Sequence, residues 1–367
     1  MTRAAVLLLL LVVVSGCRTV GYYGQAVSGH LRLLWQREPV EVVLARDDLP
    51  QATRAALQRA VKARDFAAQR LGLDAGGSYS DYVMLERSHV VWNVFAAPAD
   101  SLDLVQWCFP VAGCVGYRGY FSRKAAEREA GRLAARGHDV FTGGVGAYST
   151  LGWFNDPLTT PMLQRPPHAL VALIFHELAH QRVYLAGDTE FNESFATFVE
   201  QEGLRQWHEA GFGEPDDLQA WNLAGQRRAG FVTLVQHHSA RLEALYARQE
   251  DAADVQRHKG QILHALQEDY AALKECWGVD AYGSWFDGPL NNARLATVGA
   301  YHQWVPAFAM LMKSSGGDWQ AFHEAVEGLA KRSPERRQRR LEGLLEQASG
   351  DPEITPPPAT PCVPVSS

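Results

Sequence analysis

Charge of one sign is what this chain most plainly lacks. Against 35 Lys and Arg stand 41 Asp and Glu, a net charge of -6 over 367 residues. No excess of positive charge therefore argues for holding nucleic acid. Cysteine is scarce, five in all, and their spacing does not suggest a zinc-cysteine site. No internal repeat is visible, which leaves solenoids and propellers aside. The apolar run from Ala4 to Val14 is too short to span a bilayer, and no second run approaches that length. What remains is an ordinary globular composition, 47% hydrophobic, enough for one large core or two joined lobes.

The N-terminus is specific. Arg3 precedes the apolar run, which suits the h-region of an export signal. It leads into Val14-Ser15-Gly16-Cys17, which resembles the lipobox of bacterial lipoproteins. That resemblance implies removal of residues 1–16 and lipidation of Cys17. Residues 17–38 would then form a lipid-anchored tether that includes a short amphipathic segment. Arg18 stands where an inner-membrane retention signal has Asp, which implies an outer membrane anchor facing the periplasm. In an exported chain, Cys108 and Cys114 could close a short disulfide loop, or they could stay free thiols.

Beyond the tether, the pattern reads as α+β. Val40, Val42 and Leu44 alternate as in a strand. Leu57, Val61 and Leu71 recur at helical spacing before Gly72. Tyr82–Leu85, Val90–Phe95 and Tyr117–Phe121 read as strands, and Lys124–Arg136 as a helix stopped by Gly137. Residues 139–154 are glycine-broken and aromatic, a strand and loop that lets something approach the backbone closely. Helices are expected over 168–185 and 189–210. A long helical hairpin follows from Leu218 to Trp277, then three helices over Pro289–Met312, Trp319–Leu329 and Arg336–Ala348. The proline-rich end from Gly350 predicts disorder. The divisions are thus a catalytic domain over 39–212, a helical lobe over 213–349 and a tail over 350–367.

Chemistry concentrates in His176-Glu177-Leu178-Ala179-His180. Histidines four apart on a helix stand one turn above the other and can share one ion. Glu177 lies beside them, placed to accept a proton from an attacking water without ligating. Ala169 to Phe175 is uncharged and apolar, as a buried metal-bearing helix requires. Arg182 departs from the apolar residue usual two positions after the second histidine. Gly187 can end this helix, and Asp188 or Thr189 can cap the next. The next helix carries Asn192, Glu193 and Glu200. The two glutamates are seven apart and share a face, so either could be the third ligand while the other orients a histidine. Glu193, nearer the turn and next to Asn192, is preferred.

His176 to His180 followed by Asn192-Glu193 resembles the gluzincin metallopeptidases. The chain is still more similar to a bacterial family of lipoprotein-type zinc aminopeptidases. Four stretches carry that likeness: Gly113–Phe121, Gly143–Phe154, the histidine motif with Asn192–Ala196, and Leu290-Asn291-Asn292-Ala293-Arg294 with Tyr301. The resemblance implies a zincin-like fold, with a small sheet packed on the motif helix and a mainly helical C-terminal lobe. It also implies aminopeptidase activity with one Zn2+ per chain. The interval from His180 to Glu193 is shorter than in thermolysin-like enzymes, which keeps Glu200 open as a ligand. No Gly-x-Met-Glu-Asn segment is present, so cleavage at a chain end or within a chain stays open.

The expected reaction is peptide hydrolysis, with Glu177 as general base. Tyr301, with Tyr148 behind it, would donate to the developing oxyanion. The strand near Gly146 and Tyr148 would pair with an extended peptide substrate. Two other classes stay open: a catalytically silent zinc-binding lipoprotein acting as a scaffold, and a metal-dependent hydrolase of cell-wall amide bonds. His237, His238, His258 and Arg294 read as surface residues. Oligomeric state is not legible.

Overall fold

A helix that is apolar on every side must be covered on every side, and the motif segment lies at the centre of the molecule. The computed structural model describes residues 20–109, 113–147, 149–150, 154–248, 251–299, 303–351, 354 and 362. The chain begins with α1 (20–35), β1 (Glu38–Pro39), α2 (Val40–Leu44), α3 (Gln51–Arg70), β2 (Asp81–Val83) and β3 (Val91–Pro98). It continues through β4 (Trp107–Phe109), β5 (Gly113–Val115), β6 (Arg118–Tyr120), α4 (Arg123–Ala134), β7 (His138–Val145), β8 (Leu158–Thr159) and α5 (Thr160–Leu163). Helices make up the remainder: α6 (Pro167–Arg182), α7 (Thr189–Glu209), α8 (Pro215–Tyr246), α9 (Ala252–Trp277) and α10 (Gly283–Phe286). The last four are α11 (Asn292–Gly299), α12 (Val305–Ser314), α13 (Trp319–Ala330) and α14 (Pro334–Ser349).

The class is α+β, with three small sheets among many helices. One has the order β1-β2-β8, a second β6-β3-β7, and β4 with β5 forms a two-stranded ribbon. β7 runs antiparallel to β3 along its whole length, from Pro98↔His138 to Val91↔Val145. Its other side, among the described residues, pairs with no strand. A disulfide between Cys108 and Cys114 staples the ribbon.

The largest buried cluster gathers α3, α6 and α7 with the first sheet, through Tyr82 and Leu158, and with α12, α13 and α14. The reason is the aromatic stripe of α7, Phe191, Phe195 and Phe198, which needs a cover. Phe308 of α12 supplies it at 5.4 Å from the Phe191 ring and 5.7 Å from Phe195, and Phe322 of α13 lies 5.1 Å from Phe198. The α8–α9 hairpin and Leu295 of α11 form their own cluster, while the helices after residue 303 belong to the core of the motif helix.

Local departures from the sequence reading have clear causes. Val40–Leu44 is a helix, not a strand: Val40 and Val43 are buried at helical spacing and Val42 faces solvent. The proposed helix over Pro289–Met312 is broken into α11 and α12. Residues 20–35, read as part of a tether, form a helix docked on the second sheet. Gln25 donates to Gly119 O at 3.4 Å and accepts from Phe121 N at 3.1 Å, and Leu33 is buried against Val83, Val90 and Val91. His238 is buried against Asp269 at 2.8 Å. Arg294 is buried too, donating to the carbonyls of Trp285 and Asp287. Cys362, in the proline-rich end, is disulfide-bonded to Cys276 of α9.

Candidate functional site

α6 and α7 build the site because a short connection folds one back across the other. α6 ends at Arg182, where Val183 turns extended. Gly187, at φ +83°, lies within the connection instead of at the helix end. Asp188 then caps α7 by accepting from Phe191 N at 3.1 Å. Asn192 clips the connection from the far side, bonding both Leu185 N and Leu185 O at 2.8 Å. Arg182, out of place by the motif's usual pattern, pairs with Glu327 of α13 at 2.9 Å.

Three side chains converge. His176 Nε2 lies 3.2 Å from His180 Nε2 and 3.3 Å from a Glu193 carboxylate oxygen, and the other Glu193 oxygen lies 3.7 Å from His180 Nε2. Ligand atoms about 2.0–2.1 Å from a tetrahedral zinc stand roughly 3.3–3.4 Å apart. The observed spacings bracket that value, so a two-histidine, one-carboxylate set fits a zinc-sized ion here. Glu200 sits on the other edge of the same ring, accepting from His176 Nδ1 at 2.9 Å. A carboxylate there fixes the tautomer and aims Nε2 at the shared point. His180 Nδ1 is buried without a hydrogen-bond partner.

The electrostatics follow from burial and these contacts. Burial disfavours a charged His176, but its bonds to Glu193 and Glu200 outweigh that and raise its pKa well above the ordinary value. Burial lowers His180 to about 4, with Glu193 offsetting only part. His180 is thus a neutral imidazole, the form that ligates. Glu177 is half-buried, and desolvation by burial raises its carboxyl to about 7, opposed by His176 and reinforced by Glu193. A carboxylate tuned toward neutrality is suited to general acid–base work.

A supporting group carries no motif at all. Tyr79 is fully buried at φ +61°, a rare backbone state for a bulky residue. Its amide donates to Asp156 O at 2.7 Å, Asp156 N donates to Ser78 Oγ at 3.2 Å, and Gln181 of α6 donates to the same hydroxyl. Burial, then the charges of Glu177 and Asp156, hold the Tyr79 phenol well above its usual pKa. Tyr184 stands at the other side, its ring 6.4 Å from that of His180; burial and then Glu193 raise its pKa.

Of the other residues read from the sequence, Gly146 follows β7, and its carbonyl accepts from Thr159 Oγ1 at 3.4 Å. A side chain there would meet Arg165, whose charge acts on Glu177. Cys17, Tyr148 and Tyr301 lie outside the described residues. A cavity of about 520 Å³ opens elsewhere, between Pro98–Asp100 and His138 of the second sheet and Tyr246, Ala252 and Val255 of the hairpin. None of the histidine-motif residues lines it, so volume alone does not mark the chemistry.

Comparison with known proteins identifies a family. The family described as "Putative aminopeptidase" matches over residues 21–341. No curated protein and no solved structure matches the chain.

Proposed function

The chain belongs to that aminopeptidase family, and from this premise we propose that it is a zinc-dependent peptidase whose ion is held by His176, His180 and Glu193. The observation that carries the reading is the convergence of two imidazole nitrogens and one carboxylate at tetrahedral spacing beside Glu177. Zinc bound there would act as a Lewis acid toward the attacking water and the scissile carbonyl.

The chain's own groups supply the rest. Glu177 takes the proton of the attacking water and passes it to the leaving amine. Glu200 holds His176 Nδ1, so that Nε2 stays aimed at the shared point. A phenol donates to the carbonyl oxygen as charge builds; Tyr184 stands beside His180 and Glu193, and Tyr301 is the candidate from the sequence. The side of β7 that pairs with no strand among the described residues, with Gly146 just after it, would offer backbone to an extended peptide, as the sequence suggested for Gly146 and Tyr148. Export and lipid attachment through Cys17 belong to the same proposal and put the enzyme at the periplasmic face of the outer membrane.

The test is metal content together with cleavage of aminoacyl and internally quenched peptides, for the wild type and for Glu177→Gln. The expected result is about one zinc per chain in both proteins, with activity down by at least about a hundredfold in the variant. Loss from the aminoacyl substrates alone would fix the exopeptidase mode. A protein that binds no zinc refutes the proposal. Zinc without cleavage of any peptide moves the reading to a scaffold or to cell-wall amides.

A further inference from the structure

α1 has two apolar faces, and the fold uses only one. Its inner face is committed: Leu33 is buried in the sheet core, the Tyr22 ring lies 5.6 Å from that of Tyr120, and Arg118 stacks over Tyr22. Its outer face carries Val20, Tyr23, Val27, Leu31 and Trp35, all exposed, with Val20 at 71%, Val27 at 56% and Trp35 at 83%. At 100° per residue these five side chains fall within an arc of about 120°, along a helix about 24 Å long. Such an unbroken outward stripe is not the scatter of single apolar residues that ordinary surfaces show. Exposed Phe154 extends it at one flank, its ring 4.7 Å from that of His30.

We propose that this face of α1 lies in the headgroup region of a lipid bilayer. The occupant is a lipid surface because of what precedes the helix. The apolar run Ala4–Val14 and Cys17 stand immediately upstream, and Cys17 is only three residues from Val20. The inference therefore rests on the reading of Cys17 as a lipid attachment point. The composition agrees, with aliphatic residues along the centre, Tyr23 and Trp35 toward the edges, and exposed Arg32 on the polar flank. No helix among the described residues is long and apolar enough to cross a membrane, so α1 lies along the surface. The acyl chains attach the protein; the stripe sets how it faces the lipid.

The experiment uses the full chain with its anchor, in vesicles of phosphatidylethanolamine and phosphatidylglycerol. Val27→Cys, or Gln338→Cys at an exposed position of α14, carries a fluorophore whose emission moves to the blue in lipid. Flotation of the vesicles reads attachment separately from the position of the label. The expected result is flotation of both proteins, a blue shift at position 27 and none at 338. Flotation without a shift at 27 overturns the inference and leaves the anchor intact. Failure to float overturns the anchor and the inference together. Disulfide crosslinking of two chains through unlabelled Val27→Cys would assign the face to a second copy and overturn it as well.

Discussion

The two glutamates of α7 meet different nitrogens of His176, and Glu200→Gln tests the different roles proposed for them. Glu200 accepts from His176 Nδ1 at 2.9 Å, and its side chain is only 11% exposed. A hydrogen bond to a charged partner is worth about 1.5–3 kcal/mol and a neutral one about 0.5–1.5. Gln keeps the acceptor and loses the charge, so the loss is about 1–1.5 kcal/mol, roughly tenfold in zinc affinity at 1.4 kcal/mol per decade. Ala removes the acceptor too and moves toward the hundredfold end of orienting-group effects. Glu193→Gln removes the proposed third ligand. If four ligands share about 10–16 kcal/mol, each accounts for roughly 3 kcal/mol, more than about a hundredfold. The assay is competition with a chromogenic chelator at one fixed pH, because the His176 proton competes with the ion. Equal losses for Glu200→Gln and Glu193→Gln would make Glu200 a ligand and refute the assignment. A Glu193→Gln protein with unchanged affinity would refute it more directly.

Two further outcomes follow from burial elsewhere. Lys259 is buried and holds Asp139 at 2.5 Å and the Ala99 carbonyl at 2.9 Å, while Asp139 also accepts from Asn292 N. Lys259→Met should cost about 3–5 kcal/mol in urea unfolding because it strands the carboxylate. Arg205→Met, at an exposed ion-pair cluster with Glu202 and Glu209, should cost less than about 1 kcal/mol; equal costs would refute the distinction. His323 is buried, its Nε2–H donating to the Leu71 carbonyl at 2.9 Å, and burial lowers its pKa, with the Leu71 bond and Glu327 opposing and Arg182 adding to the effect. The unfolded chain binds that proton more readily, so stability holds above about pH 6.5 and falls as pH drops below it. The contribution is at most about 1.4 kcal/mol per pH unit, and denaturant midpoints of His323→Gln should fall less steeply with acid than wild type.

The sequence by itself determined whatever depends on local spacing. His176 and His180 share a helix face because a helix turns once in 3.6 residues. The long hairpin was legible in its period, and the cap of α7 was narrowed to Asp188 or Thr189, of which the structure uses Asp188. Where period and burial disagreed, the reading failed. Val40, Val42 and Leu44 alternate like a strand, yet Val40 and Val43 are the pair the core takes in. Adjacent histidines suggested solvent, but Asp269 across the hairpin draws His238 inside.

The sequence only preferred Glu193, and the tertiary structure decided which nitrogen of His176 each glutamate meets. Seven residues on a helix nearly superpose in direction but differ by about 10.5 Å along the axis. The crossing of α7 over α6 decides which carboxylate meets Nε2 and which meets Nδ1, and that crossing is set by the Asn192 clip and the cover of α12 and α13. Tyr79 and Asp156 were invisible for the same reason. Their place beside Glu177 comes from contacts between residues 78 positions apart and more, and no periodic pattern along the chain encodes a contact of that range.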